Sequence, residues 1–264
     1  MAWKGMGAAI IAAFLLVLFS GQAIAALPFI TDDAGTQGKG TSQVELWYEG
    51  AVDKEDAAGS TVKTRTHQPG TTFGYGVTEN LDLSLGFGRS WGKLEVDGSS
   101  SNDAGNADFS LNAKWRIYGQ PGIEFAVKPQ VGYSYLVGGT SDDHTVSSGG
   151  WLILTKEYEA LAVSLNAGFF YNAYGSAAER DASRSGIWSL SALATYEVLA
   201  GLKLGLDVGA STNPDKASDD VPVYAEAGAI YSASKNVDLS LGLIFGITRP
   251  EPDVAGIAGI TIRF

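Results

Sequence analysis

A chain of 264 residues with 34 Gly, 11 Tyr, 11 Phe, 6 Trp and only 8 Pro is built for strands and tight turns. Its mean hydropathy of +0.05 excludes a helical membrane protein, which would show several apolar runs of about 20 residues. The absence of cysteine excludes a disulfide framework, a thiol nucleophile and a lipidated N-terminal Cys, and a formal charge of −11 argues against nucleic acid or an anionic membrane surface as partner.

In chain order, Lys4 precedes an apolar run over 8–19, and Ala23-Ile24-Ala25 has the small-x-small form of a cleavage site. Residues 1–25 therefore read as a signal peptide, cleaved after export through the inner membrane. Residues 26–41 form a separate segment, too irregular and glycine-rich for a strand. From residue 42 an alternation sets in. Val44, Leu46 and Tyr48 face one way and Glu45, Trp47 and Glu49 the other, the period of two of a strand between unlike surroundings. It recurs over 43–50, 71–77, 81–91, 107–118, 122–137, 150–158, 162–174, 187–198, 201–211, 221–231, 237–248 and 255–264. That is about twelve strands, an even number as single-chain bacterial outer-membrane barrels have. In the last stretch Ala258, Ile260, Ile262 and Phe264 make an apolar stripe opposite Gly259, Thr261 and Arg263. An aromatic closing such a strand resembles the signal by which outer-membrane barrels are recognised, so barrel-assembly machinery is an expected partner of Phe264.

The connections carry independent information. Those at 78–80, 119–121, 159–161, 199–200 and 232–236 are short, whereas 51–63, 95–106, 138–149, 175–186, 212–220 and 249–254 are mostly longer and rich in Asp, Ser and Gly. Outer-membrane barrels have short periplasmic turns and longer external loops, which puts both termini of the barrel's chain on the periplasmic side. Aromatics of outward parity then fall into two belts: Tyr75, Trp115, Tyr196, Tyr231 and Phe264 near periplasmic ends, Trp91, Tyr133, Tyr135, Tyr171 and Trp188 near external ones. The expected fold is an all-β, transmembrane, antiparallel up-and-down barrel over 42–264, with membrane lipids and lipopolysaccharide around it. A soluble sandwich or lipocalin-like barrel would bury stripes such as Leu239-Leu241-Leu243-Phe245-Ile247, but it explains neither the signal peptide nor the alternating loop lengths.

The segment Leu-Pro-Phe-Ile-Thr-Asp-Asp-Ala-Gly-Thr, followed by Gly-Lys-Gly-Thr-Ser-Gln-Val-Glu-Leu, resembles the start of the outer-membrane transporter family labelled "Putative MetA-pathway of phenol degradation". The likeness is sharp over 27–46 and architectural beyond. It implies a barrel that passes small, aromatic or hydrophobic compounds inward, and it singles out Thr31, Asp32 and Asp33 as motif residues without giving their role. No residue pattern here reads an aromatic ring by itself.

Inward parity assigns Glu45, Glu49, Asp82, Asp108, Glu124, Glu197, Asp207, Glu226 and Asp238 to the lumen with Lys114, Arg116, Lys128, Lys203 and Arg263. An Arg or Lys facing lipid at mid-depth would cost about 2–4 kcal/mol, so the lumen is the home for these charges. Folding the hairpins about their turns sets Asp238 against Arg263, Glu197 against Lys203 and Arg116 against Glu124, a collar near the periplasmic mouth worth about 0.2–1 kcal/mol per pair. With Lys128, these residues are candidates for selectivity, against the plainer reading that they fill a narrow barrel.

The expected function is a channel or transporter for small solutes with no cofactor; the alternatives are a barrel that only presents loops and an outer-membrane lipid hydrolase. A hydrolase needs Ser oriented by His, and the chain has only His67 and His144. His144 lies in an external loop. His67 has outward parity opposite Trp91, with Ser90 on the other face unless Pro69-Gly70 forms a bulge, so no catalytic residue is assigned. Asp142-Asp143 and Asp219-Asp220 have the oxygen chemistry for Ca²⁺, but hydrated loop acids are the simpler reading and no metal is assigned.

The N-terminal segment must emerge at the periplasmic mouth. Asp32 and Asp33 need partners, and the nearest expected cations are Arg263, Lys203 and Arg116. The expectation is that residues 27–40 fold up into the opening and narrow the pore; the competing reading is a flexible leader.

Overall fold

The computed structural model describes residues 27–57 and 60–264; the signal-peptide reading of 1–25 lies outside them. Fourteen strands run β1 (Ser42–Ala57), β2 (Ser60–Thr78), β3 (Leu81–Arg89), β4 (Trp91–Val96), β5 (Ser99–Asp103), β6 (Asn106–Gln120), β7 (Ile123–Leu136), β8 (His144–Tyr158), β9 (Leu161–Tyr174), β10 (Gly186–Leu199), β11 (Leu202–Ser211), β12 (Val223–Ser234), β13 (Val237–Gly246) and β14 (Val254–Arg263). β3 and β4 both pair with β2, one after the other, while β6 and β5 pair with them from the far side. Each couple is one continuous stave, so the fourteen strands make the twelve staves the periodicity predicts. All neighbours are antiparallel. β1 pairs with β2 on one side and β14 on the other, which closes the barrel and leaves no edge.

The alternation written in the sequence is the alternation of environments. Leu239, Leu241, Leu243 and Phe245 are exposed on the outer surface, while Asp238 just before them and Ile244 between them are buried. The two aromatic belts are there too: Tyr75, Trp115, Tyr196 and Tyr231 at one rim, Trp91, Tyr133, Tyr135, Tyr171 and Trp188 at the other, all with rings exposed on the outer face. Such an outside has no stable home in water and is solvated by lipid.

Turn chemistry sets the register. Strands entering the short turns carry bulges between Gly76 and Thr78, Arg116 and Tyr118, Glu197 and Leu199, and Ser232 and Ser234, each adding one residue before the chain reverses. Two pairings that hairpin counting predicts are moved because the turns centre elsewhere than counted, between Pro121 and Gly122 in β6–β7 and one residue earlier than counted in β13–β14. Arg116 stands opposite Ala126 rather than Glu124, and Asp238 opposite Thr261 rather than Arg263; Glu197 and Lys203 are opposite as expected. Pro69-Gly70 forms no bulge, and β2 runs through it in register with Tyr48 and Trp47.

At the external end the predicted loops 51–63 and 95–106 are mostly ladder instead. Val52 pairs with Arg65 and Lys54 with Lys63, and Glu95 with Ser100; in the first of these hairpins Thr61, Val62, Thr64 and Thr66 favour the extension. A short helix α1 (Ala177–Ala182) sits in the 175–186 connection, with the Ser176 hydroxyl capping the Glu179 N–H at 3.1 Å. Arg184 donates to the carbonyls of Asn213 and Ser218 and pairs with Asp219 at 2.8 Å, joining this loop to the 212–220 loop.

Candidate functional site: a plugged lumen

Residues 27–41 do not hang below the barrel. They run up into the lumen and cross it, touching staves on opposite walls. At one end Phe29 is buried against Leu193 and Ile230. Its ring occupies the space a side chain would fill at two glycines: a Cβ on Gly205 would fall 2.3 Å from it and one on Gly228 2.8 Å. Pro28 and Leu27 sit likewise on Gly242 and Gly259. Glycine on these four staves makes room for the segment.

Its polar groups are then matched one by one, as burial requires. The Thr31 N–H and hydroxyl donate to the two carboxylate oxygens of Asp207 at 2.8 and 2.6 Å. Asp32 is bracketed: Oδ1 accepts from Lys114 Nζ at 2.7 Å and Oδ2 from Lys128 Nζ at 2.8 Å. The Asn166 amide, turned with its oxygen toward the Asp32 N–H (2.7 Å) and its nitrogen toward the Asp32 carbonyl (2.9 Å), holds the backbone there. Asp33 Oδ1 accepts the Gly35 N–H at 2.7 Å, an Asx turn that bends the chain, and Lys114 Nζ also reaches the Asp33 carbonyl at 3.0 Å. The Ala34 N–H donates to Thr155 Oγ1 at 2.9 Å, and its methyl packs on Ala126 and Ile153. The Gln37 N–H donates to Asp82 at 2.9 Å. At the far wall the Gly40 N–H donates to the Gly76 carbonyl at 2.8 Å. The Gly38 carbonyl there lies only 1.8 Å from where a Cβ of residue 76 would be, so glycine is obligatory at 76.

The lysine bracket follows from register. Asn112 faces Gln130 and Trp115 faces Val127, which sets Lys114 level with Lys128, two like charges across one ladder. Such a pair repels; the Asp32 carboxylate between them reverses the sign. Burial alone would raise the Asp32 pKa, but the two ammonium groups outweigh it and hold the carboxyl well below the usual carboxylate range. Asp33 goes the other way: burial pushes it from 3.8 up to about 6, with Lys114 opposing.

That contrast carries a pH dependence. A carboxyl whose pKa is raised on docking binds its proton more tightly in the docked state, so its contribution is full below 3.8 and is lost as pH rises to about 6. Asp32, with a lowered pKa, contributes fully above 3.8 and acts in the opposite sense only below it. Of the two plug carboxyls, only Asp33 changes charge between about pH 4 and 6. Openings in a planar bilayer should therefore be more frequent at neutral pH than near pH 4.5, and Asp33→Asn should flatten the profile. A wild-type opening frequency that rises toward acid pH in this window would contradict it.

The sequence-derived site residues are placed as follows. Arg116 and Glu124 form an ion pair at 2.6 Å despite the shifted register, and Arg263 forms one with Asp238 on the diagonal. Glu197 turns to the Gly201 N–H at 3.1 Å, with Lys203 opposite it in the ladder. The expected cations Arg263, Lys203 and Arg116 are not the partners of Asp32. Those collar residues sit at the mouth, whereas the segment rises past them to Lys114 and Lys128, both assigned to the lumen, and Lys128 to selectivity, but neither expected to hold the plug. Below the segment lies a cavity of about 580 Å³, roofed by Phe29, Thr31 and Asp33 and walled by Glu197, Lys203 and Arg263 among others. Above it, on the same strands that carry the two lysines, a second hollow opens.

The histidines have other neighbours. His67 Nδ1 is 2.5 Å from the Tyr48 hydroxyl and its ring stacks on Trp91, while Ser90 Oγ accepts the Asn106 N–H at 2.9 Å. His144 stacks on Tyr133. Asp143 accepts from the Thr140 N–H and hydroxyl, and among the described residues no three His, Cys, Asp or Glu are placed to hold a metal.

A family model described as "Putative MetA-pathway of phenol degradation" matches residues 31–264. Among solved structures, an outer membrane channel from Pseudomonas putida F1 is similar at a TM-score of 0.66 and 13% identity, covering 89% of this chain and 100% of that one. The KdgM porin in complex with disordered oligogalacturonate is similar at 0.55 and 11% identity, over 84% and 99% of the two chains. The translocator domain of the autotransporter NalP from Neisseria meningitidis follows at 0.54 and 14% identity, over 99% and 95%. No curated protein sequence matches the chain. At these identities the likeness is one of fold.

Proposed function

We infer the function from one premise: the chain belongs to the family described as "Putative MetA-pathway of phenol degradation". On that basis it is an outer-membrane channel for small molecules, held closed in this conformation by its own N-terminal segment, and not an enzyme. The observation that carries the reading is the plug itself. A barrel that served only to present loops could fill its lumen with large inward side chains. This one instead keeps glycine at 76, 205, 228, 242 and 259 to receive a segment of non-regular chain, and it fastens that segment with charge-assisted hydrogen bonds. A plug joined to the wall by side-chain contacts can leave without breaking the ladder. Two of the similar structures are a channel and a porin, and the family description, which names phenol degradation, points to small ring compounds as cargo.

In this reading residues 1–25 direct export to the outer membrane, and the belts of exposed aromatics meet lipid and lipopolysaccharide. The residues Arg116, Glu124, Lys128, Glu197, Lys203, Asp238 and Arg263 set charge selectivity around the lower cavity. Liposome swelling with a panel of small solutes tests the function. The wild type should admit solutes slowly and a barrel lacking residues 27–40 quickly; no permeation by either, in correctly inserted protein, would sink the transport reading.

Phe264 closes the seam of the barrel, where its N–H donates to the Ser42 carbonyl at 2.9 Å, and we assign its ring to recognition by the assembly machinery. Phe264→Ala should lower outer-membrane yield several-fold while leaving the melting temperature of the inserted fraction nearly unchanged. Undiminished yield would remove that role.

A further inference from the structure

Above the plug the wall carries a hollow of about 330 Å³, and the register explains it. Trp47 faces Gly70, Gly70 faces Gly88, Gly88 faces Asp108 and Asp108 faces Ser134. The adjacent inward row runs from Thr72 through Gly86, Ser110 and Gly132 to Ser147. Glycine thus interrupts both rows, and the wall lacks side chains where the hollow lies. The Trp47 indole rests on Gly70, where a Cβ would fall 2.2 Å from the ring, so the ring is a fixed plate at one side. Around it Gln68, Gln130, Ser110, Ser134 and Ser147 supply uncharged donors and acceptors, and Asp108 is the one charged residue of the lining.

Resting on the reading of the barrel as a channel, we propose that this hollow is a binding site for a neutral polyhydroxylated ring, such as a pyranose sugar, on its way to the plug. The C–H face of such a ring lies on the indole, while its hydroxyls, each a donor and an acceptor, meet amides and hydroxyls of the same dual character. Asp108 accepts from two adjacent hydroxyls. A phenolic ring would fill the space but bring a single hydroxyl, leaving most of the polar lining stripped of water and unpaired, the arrangement that discriminates most strongly between ligands. An acidic sugar would bring its carboxylate toward Asp108 with no Lys or Arg in the lining to balance it.

Calorimetric titration of the full-length barrel in detergent tests this with glucose, maltose, glucuronate and phenol as probes. The neutral sugars should bind, and glucuronate and phenol much more weakly. Trp47→Ala should weaken sugar binding about tenfold. Gly88→Val should abolish it by filling the hollow, since a Cβ at 88 meets only the Asp108 and Gln68 side chains at 3.8 Å and leaves the ladder intact. Heat-modifiable gel mobility confirms that each variant is folded. Preference for phenol or glucuronate, no sugar binding at all, or sugar binding untouched by both substitutions in folded barrels overturns the proposal. Titration needs no passage through the pore. Sugar binding by a barrel that proves impermeable would keep the site and sink the channel, and permeation without sugar binding would do the reverse.

Discussion

Asp32→Ala should convert a mostly closed barrel into one with frequent, large openings in a planar bilayer, and should lower its melting temperature at the same time. The two effects have one cause. Asp32 is the only plug side chain that pairs with Lys114 and Lys128 in ion pairs, at 2.7 and 2.8 Å. Removing one partner of a buried, hydrogen-bonded ion pair costs about 3–5 kcal/mol because the remaining charge is left uncompensated. Here two charges remain, level with each other across the β6–β7 ladder, so the wall is destabilised as well as the plug released. Adding Lys128→Gln to Asp32→Ala removes the repulsion and should restore most of the melting temperature without restoring closure. That split separates a plug from a mere structural ion pair. If the single variant inserts normally and its conductance equals the wild type, Asp32 does not hold the gate.

Most of the barrel was legible because its period is local. Leu239, Leu241 and Leu243 declare a lipid face within five residues, and the sequence that places them outward places Asp238 inward without any knowledge of the partner strand. Twelve staves and both aromatic belts follow from that alone. Register was less legible. Hairpin counting about Gln120 puts Arg116 against Glu124, but the turn centres between Pro121 and Gly122, and even with the bulge between Arg116 and Tyr118 taking back one residue Arg116 stands opposite Ala126; the long arginine side chain still reaches Glu124, so the ion pair survives an error in the ladder. The plug was legible only in outline. Its acids announce a need for cations, but residues 27–41 have no repeating geometry, and nothing local says how far they climb. The nearest cations in an unfolded sketch are Arg263, Lys203 and Arg116 at the mouth. The actual partners are decided by the glycines of opposite staves, which admit Phe29 and Pro28 and so carry Asp32 past the collar. A signal was present in the inward glycines Gly205, Gly228, Gly242 and Gly259, positions where a narrow barrel would otherwise carry bulk.

Phe29→Ala should open the barrel at the other end of the plug. The ring is 5% exposed and packs on Leu193 and Ile230. Truncating a buried Phe typically costs about 3–5 kcal/mol, and Gly205 and Gly228 bring no side chain of their own to fill the space left. The substitution leaves no stranded charge, so the melting temperature of the barrel should fall less than with Asp32→Ala while the conductance still rises. Gly205→Val supplies the converse: its Cβ would fall 2.3 Å from the Phe29 ring and should expel it with the segment's own sequence unchanged. The two anchors rest on different staves, Phe29 on β10–β12 and Asp32 on β6 and β7, with Thr31 and the Asn166 clamp between them. If the segment undocks as one body, each single variant gives the same open conductance and the double variant adds nothing to its size. If the ends release separately, each gives a smaller level and the double gives their sum, as independent sites do. We expect the first, because Asp207 holds both the N–H and the hydroxyl of Thr31 and ties Phe29 to Asp32 within three residues. Two distinct sublevels that add in the double variant would show instead that the plug peels.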